Sequence, residues 1–343
     1  MRCLKNKGSS LSDRKSKLNH MEFRFNQFPR VSIIILNWNG KPYIRQCLTS
    51  VIKTNYQNLE IIVVDNASTD GSREIIKNEF PQVILIENPK NLGFCNGNNI
   101  GIKRASGDII VLLNNDTIVD ENWIKEIVKK AHNPKVGVVG CKLYYPGSKV
   151  IQSLGYREKF LGYWENVGAG QEDKGQFDDV EDVDYVSGAA LAVKREVLQK
   201  VGLLRPPADI DLCYRVRKAG YKVVVAPNAI VYHYGSASWK YVPIKGMYLH
   251  NKKRIYFILN HYPPRFLLKY LFEYPIKSFR IDLCKFIRGE SIAQKVTLTN
   301  KKKRLRAILT TILNSLASRT IMFVFALLVI MISRKEVLVR NIK

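Results

Sequence analysis

Apolar residues in the first third of the chain come in short unbroken runs. Val31-Ser32-Ile33-Ile34-Ile35-Leu36, Glu60-Ile61-Ile62-Val63-Val64 and Ile109-Ile110-Val111-Leu112-Leu113 are rich in β-branched residues, and each stops abruptly at Asn or Asp. Runs of this kind predict strands buried on both faces, as in a parallel sheet. Between them the period changes: Tyr43, Cys47, Leu48 and Val51, then Ile75, Ile76 and Phe80, recur at helical spacing. Pro81–Glu87 adds a short strand, and Asn88–Gly101 is dense in Asn and Gly. Strand and helix alternate from 31 to 116, which predicts βαβ units and a mostly parallel α/β sheet with flanking helices. Further along, Ile124, Ile127 and Val128 mark a helix and Val136–Tyr144 a strand, while the acidic stretch Glu172–Asp184 predicts a solvated loop.

The chain has 343 residues, 46% of them apolar, and a net charge of +26. That charge is unevenly placed: residues 1–30 carry +6, 240–306 carry +14 and 307–343 carry +4, leaving +2 for 31–239. Basic flanks around a nearly neutral core suit an anionic surface, either nucleic acid or lipid. The tail decides between them. Residues 307–333 hold one charge, Arg319, and 321–332 (IMFVFALLVIMI) are apolar throughout. A twelve-residue helix covers only about 18 Å, but the wider window, rich in Leu, Ile, Val and Phe, favours insertion or deep interfacial burial. The expected partner is an anionic membrane surface and not nucleic acid. The organisation read from these shifts is a basic tail (1–29), a folded domain (30–239), a basic amphipathic helical extension (240–306), an apolar membrane-associated segment (307–333) and a second basic tail (334–343). Basic residues on both sides of the apolar window favour a re-entrant or in-plane segment over a single span. Six cysteines lie far apart with neither metal nor disulfide spacing, which suits a reducing, cytoplasmic compartment.

Ligands of open α/β sheets bind at the carboxyl ends of the strands, and here those ends are Asn37-Trp38-Asn39, Asp65-Asn66 and Asn114-Asn115-Asp116. No Gly-x-Gly-x-x-Gly and no Walker loop follows the first strand, so neither a dinucleotide nor a triphosphate cradle is indicated. Asp65 can accept from a base N–H or a ribose hydroxyl, or serve only as a turn former. Asp116 can coordinate a hard divalent cation that in turn holds a phosphate.

Taken together, Val31–Asn39, Val64-Asp65-Asn66-Ala67-Ser68-Thr69-Asp70-Gly71-Ser72, Asn91-Leu92-Gly93-Phe94 and Leu113-Asn114-Asn115-Asp116 resemble the inverting family 2 glycosyltransferases, in the branch of bacterial rhamnosyl- and galactofuranosyltransferases. The resemblance implies a GT-A fold and a nucleoside-diphosphate sugar donor. It places Asp65 at the base with Asn37 and Asn39 beside it, and Asn91, Gly93 and Asn98 near the sugar or ribose. Asn114-Asn115-Asp116 stands where the family has Asp-x-Asp, so Asp116 and His233 would hold Mn²⁺ or Mg²⁺. The base that deprotonates the acceptor hydroxyl maps to Asp209 in Ala208-Asp209-Ile210-Asp211-Leu212-Cys213; Ala208 replaces the family's Glu, and the preceding loop is short. Ser187, Gly188 and Asp211 would lie on the acceptor side, the acceptor being lipid-linked or a polysaccharide. Two rivals remain. A nucleotidyltransferase would share the sheet and its metal carboxylates but needs a Gly-rich, Arg- or Lys-bearing loop after the first strand. A non-catalytic nucleotide-sugar-binding or scaffold protein fits the departures around Asp209.

Overall fold

The computed structural model describes residues 28–160 and 163–235, together with 257, 258, 260–263 and 266. The expectations for residues 1–27, for most of 240–306 and for all of 307–343 lie outside the described residues. Among the described residues no helix is long and apolar enough to cross a membrane.

The first half alternates as its pattern predicts: β1 (Val31–Asn37), α1 (Ile44–Ile52), β2 (Leu59–Asp65), α2 (Ser72–Glu79), β3 (Ile84–Glu87), α3 (Gly93–Arg104) and β4 (Ile109–Asn114). The second half is less regular, with β5 (Thr117–Val119), α4 (Trp123–Ala131), β6 (Val136–Tyr144), β7 (Ile151–Ser153), β8 (Tyr156–Phe160), β9 (Tyr163–Asn166), β10 (Ala190–Lys194), α5 (Arg195–Val201), α6 (Ala208–Lys218) and β11 (Lys222–His233). The main sheet runs β3-β2-β1-β4-β10-β6-β11-β5, with β7 paired to β6, and β8 and β9 form a separate hairpin.

Strand β1 is parallel to β2 and β4, β2 to β3, and β6 to β11, while β10 lies antiparallel between β4 and β6. Six strands therefore end at one edge of the sheet, and β10 begins there. Both faces are covered, as the unbroken apolar runs require. Ile34, Ile62, Ile110 and Leu112 join one core, and Ile33, Ile35, Val63, Val111 and Leu113 the other.

Helix α3 grew from the stretch that read only as Asn- and Gly-rich, and its close packing explains that composition. A Cβ at Gly97 would lie 2.4 Å from Leu36, and one at Gly101 2.5 Å from Ile34. The helix can lie this close to β1 only because those positions lack side chains. Its amino end is thereby held against the carboxyl ends of β1 and β2.

The acidic stretch is the exposed loop its composition predicts at Glu172, Asp178, Asp179, Glu181 and Asp182. It departs from that expectation at Asp173, whose buried carboxylate pairs with Lys142 on β6, while Lys130 pairs with Glu181 and Arg217 with Asp182 and Asp184 at the surface. Past residue 239, Phe257 and Ile258 are 2% and 0% exposed and join the core that includes α6.

Candidate active site

The chain's polar strand ends meet at the shared carboxyl edge. Asn37, fully buried, donates from Nδ2 to Asp65 Oδ1 at 2.8 Å, with Ser72 Oγ at 2.9 Å and Ser68 Oγ at 3.1 Å around the same amide. Its Oδ1 accepts from Asn115 Nδ2 at 2.8 Å, which ties the ends of β1, β2 and β4 into one network. The other oxygen of Asp65 accepts from the Ser68 amide at 2.8 Å, and Arg73 stands 4.0 Å away. Asp65 is fully buried with both oxygens engaged. Through these bonds it shapes the 66–69 loop. Beside it, burial works to raise the Asp70 carboxyl, but donors from Ser72 and Lys41 outweigh it and hold that group below its ordinary range.

Three flexible-looking positions are locally fixed. Asn39, in the left-handed region at φ 50°, accepts the Thr69 amide on Oδ1 at 2.9 Å. Asn91 accepts the Gly93 amide at 2.8 Å and so turns the chain into α3. Asn98 is buried and donates back to Phe94 O at 2.9 Å. Trp38, between the two asparagines of the β1 loop, remains 55% exposed.

The end of β4 meets the end of β11. His233 Nε2 lies 3.2 Å from Asp116 Oδ1 and 3.3 Å from Asn114 Nδ2. Gln152, which sequence reasoning missed, grips His233 twice: Nδ1 is 2.6 Å from Gln152 Oε1, and Gln152 Nε2 donates to the His233 carbonyl at 3.1 Å. An amide oxygen only accepts, so Gln152 fixes a proton on Nδ1 and turns Nε2 toward Asp116. An imidazole nitrogen oriented by a second partner, next to a carboxylate, suits a divalent ion, so Asp116 and His233 fit the metal that the family resemblance implies. Among the described residues no third His, Cys, Asp or Glu joins them.

Across the β4–β10 pair, Asn114 N donates to Ala189 O at 2.9 Å, which places the 187–189 turn next to the Asn-Asn-Asp end. Ser187 Oγ accepts the Ala189 amide at 3.3 Å. Gly188 N donates to Asp209 Oδ2 at 3.0 Å, and Asp209 Oδ1 accepts the Ile210 amide at 3.1 Å. A Cβ at Gly188 would meet Asp209 Oδ2 and Phe94 Cζ, each at 3.5 Å, so an exposed aromatic ring flanks the carboxylate. Asp209 is the second residue of α6 and does not cap it. Just before it, Ala208 has φ 27°, a backbone state unusual for a residue with a Cβ that costs on the order of 1–3 kcal/mol and persists only where its surroundings enforce it. Asp211, expected on the acceptor side, is instead 0% exposed and turned inward among Arg205, Arg215 and His261.

The arrangement thus offers a buried amide network at one end, a metal-fitting pair in the middle and a carboxylate held by a backbone amide beside them. Residues 32–202 match the family model of glycosyl transferase family 2. The chain carries a glycosyl transferase family 2 domain. The relatives of this domain include an uncharacterised protein, y4gI, of Sinorhizobium fredii, 34% identical over 61% of this chain and 25% of that one. The O-antigen biosynthesis protein RfbC of Myxococcus xanthus is 28% identical over 61% of this chain and 18% of its own length. The chain spans a quarter or less of those two relatives. Among solved structures, a mannosyltransferase of Pyrobaculum calidifontis, in complex with GDP-Man and Mn²⁺, superposes with a TM-score of 0.58 over 91% of this chain and 92% of its own, at 18% identity. At that identity the likeness is one of fold, and it places the glycosyltransferase domain among GT-A-like mixed α/β sheets.

Proposed function

We propose that the protein transfers a sugar, with inversion, from a nucleoside-diphosphate donor to a hydroxyl of a lipid-linked or polysaccharide acceptor, in the manner of the rhamnosyl- and galactofuranosyltransferase branch. The observation that carries this reading is the Asp209 carboxylate, held by Gly188 N at the sheet edge that also presents Asp116 and His233. Asp209 accepts the acceptor's hydroxyl proton as that oxygen attacks the anomeric carbon; the bond to the diphosphate breaks on the opposite face, and the nucleoside diphosphate departs. A divalent ion held by Asp116 and His233 would neutralise the leaving diphosphate. The Asn37–Asp65–Asn115 network keeps the donor-side loops in place, and the glycosyltransferase of known structure with GDP-Man and Mn²⁺ supports a nucleotide-sugar donor.

The test is a panel of UDP-, dTDP- and GDP-sugars assayed for transfer and hydrolysis with Mn²⁺ or Mg²⁺, using wild type and Asp209→Asn. The variant keeps shape but loses the proton acceptor, so transfer should fall by about 10²–10⁴-fold with donor affinity nearly unchanged. Full turnover by the variant moves the base elsewhere; donor binding without turnover in wild type favours the scaffold reading. On the same proposal, the +14 segment 240–306 and the apolar 307–333 window hold the enzyme to the cytoplasmic leaflet.

A further inference from the structure

A segment far along the chain packs against the helix that carries Asp209. The Phe257 ring lies 5.0 Å from Trp164 on the β8–β9 hairpin and 5.2 Å from Tyr214 on α6. His261 follows, its ring 4.2 Å from Tyr214. From there Nε2 reaches Asp211 Oδ1 at 2.8 Å.

Asp211 is the centre of a buried charge cluster. Arg205 Nε lies 3.1 Å from both of its oxygens, and Arg215 Nε donates to Oδ2 at 2.7 Å. The Arg215 guanidinium extends outward to the Gly202 and Leu203 carbonyls, each at 2.9 Å. Asn99 on α3 grips Leu204 through its carbonyl at 2.8 Å and its amide at 3.0 Å. The loop before Asp209 and the helical turn after it are therefore fastened to one carboxylate. Between these anchors sits Ala208 in its enforced left-handed state. Burial lowers the tendency of His261 to protonate, the Arg205 and Arg215 charges act the same way, and Asp211 opposes them. A neutral imidazole beside an acceptor-only carboxylate donates from Nε2.

We propose that His261 is a positioning residue: its Nε2–H bond to Asp211 closes the cluster that fixes the turn presenting Asp209 to the acceptor. The proposal rests on Asp209 as the base. It also makes the chain beyond residue 239 part of the catalytic unit, since the residue that locks the turn arrives with Phe257 and Ile258.

The full-length protein is compared as wild type, His261→Ala, His261→Gln and Asp209→Asn. Hydrogen exchange of peptides covering 201–212 should rise in His261→Ala and stay near wild type in His261→Gln, whose side-chain amide can reproduce an Nε2–H donor. With the UDP-, dTDP- or GDP-sugar that wild type turns over in Mn²⁺, His261→Ala should lose about 10- to 100-fold in kcat, the scale of a misplaced reacting group. Its KM for donor and its donor stoichiometry by calorimetry should not change, and His261→Gln should recover most of the rate. Unchanged exchange over 201–212 in His261→Ala overturns the proposal. So does a rate loss that only parallels lost donor-binding sites, because that is the mark of general unfolding. If His261→Ala turns over normally while Asp209→Asn is inactive, the positioning role fails and the base assignment stands. Normal turnover by Asp209→Asn removes the base and this inference with it.

Discussion

Replacing Lys142 by Met tests whether the acidic stretch is a structural strap. The Lys142 side chain is 4% exposed and that of Asp173 is 7%, with Nζ 2.7 Å from Asp173 Oδ2 and 2.7 Å from the largely exposed Asp178. Tyr144 donates its hydroxyl to the same Asp173 oxygen, and Gly175 N donates to the other at 3.0 Å. Burial alone would raise the Asp173 carboxyl, but Lys142, Tyr144 and Gly175 outweigh it and bring its pKa down to about 2 from 3.8. A carboxyl depressed by nearly two units on folding contributes about 2.5 kcal/mol. Because the folded value is the lower one, that stability is fully present above about pH 4 and is lost as pH falls toward 2. Removing the lysine leaves a buried carboxylate without its cation, at about 3–5 kcal/mol. With a urea m-value of about 2 kcal/mol/M, the denaturation midpoint at pH 7 should drop by roughly 1.5–2.5 M. Lys142→Met with Asp173→Leu removes both charges and should recover at least half of the loss, and its stability should fall less steeply than wild type between pH 4 and 2, because the Asp173 share of that fall is gone. A single Lys142→Met variant within about 0.5 kcal/mol of wild type would refute the reasoning.

Two further outcomes follow from the site and the tail. Asp116→Ala and His233→Ala should each abolish Mn²⁺-dependent tightening of donor binding in calorimetry, and Asn114→Asp should strengthen it by adding a charge beside the ion; equal donor affinity with metal and with chelator rules the shared ion out. Truncation after Arg306 should leave a protein that binds anionic vesicles at low salt and is stripped at high salt, over a Debye length of roughly 10 Å, whereas the full chain should resist salt and need detergent. Equal salt release of the two would make the attachment purely electrostatic.

The first half of the fold was legible because burial on both faces leaves an unmistakable pattern. No polar residue interrupts Ile109–Leu113, and the next residues had to be where the strand surfaces. Helix α3 was not legible, since the residues that let it approach β1 at Gly97 and Gly101 carry no apolar period. The β8–β9 hairpin was likewise not legible: Tyr156–Phe160 alternates half-buried and exposed, but its central inward residue is Glu158, so the apolar period is broken. Asp173, alone buried among the acidic residues of 172–184, departs from the solvated reading for a different reason. Charge predicts solvent only until a buried cation such as Lys142 is available, and that lysine lies about thirty residues upstream on another element.

The site divides along the same physical line. Asn37, Asp65 and Asn114–Asp116 could be named in advance because each is the residue at which a buried strand ends, a local property of the chain. His233 could be placed at the end of an apolar run, but its orientation depends on Gln152, 81 residues away, which belongs to no motif. The turn around Asp209 is the extreme case. Its anchors are Asn99, Arg215, Gly188 and His261, contributed by α3, α6, the β10 approach and a segment 50 residues past Asp211. A short loop with Ala208 where the family resemblance leads one to expect Glu reads, in sequence, as a weakened site. In three dimensions the loop is held by side-chain bonds from several elements, and one of its anchors comes from beyond the boundary at residue 239 that composition suggests. Loop length and a missing carboxylate are therefore weak grounds for assigning this domain to the scaffold reading. On the proposed reading, anchoring from four directions is what keeps the Asp209 carboxylate in place to accept the hydroxyl proton.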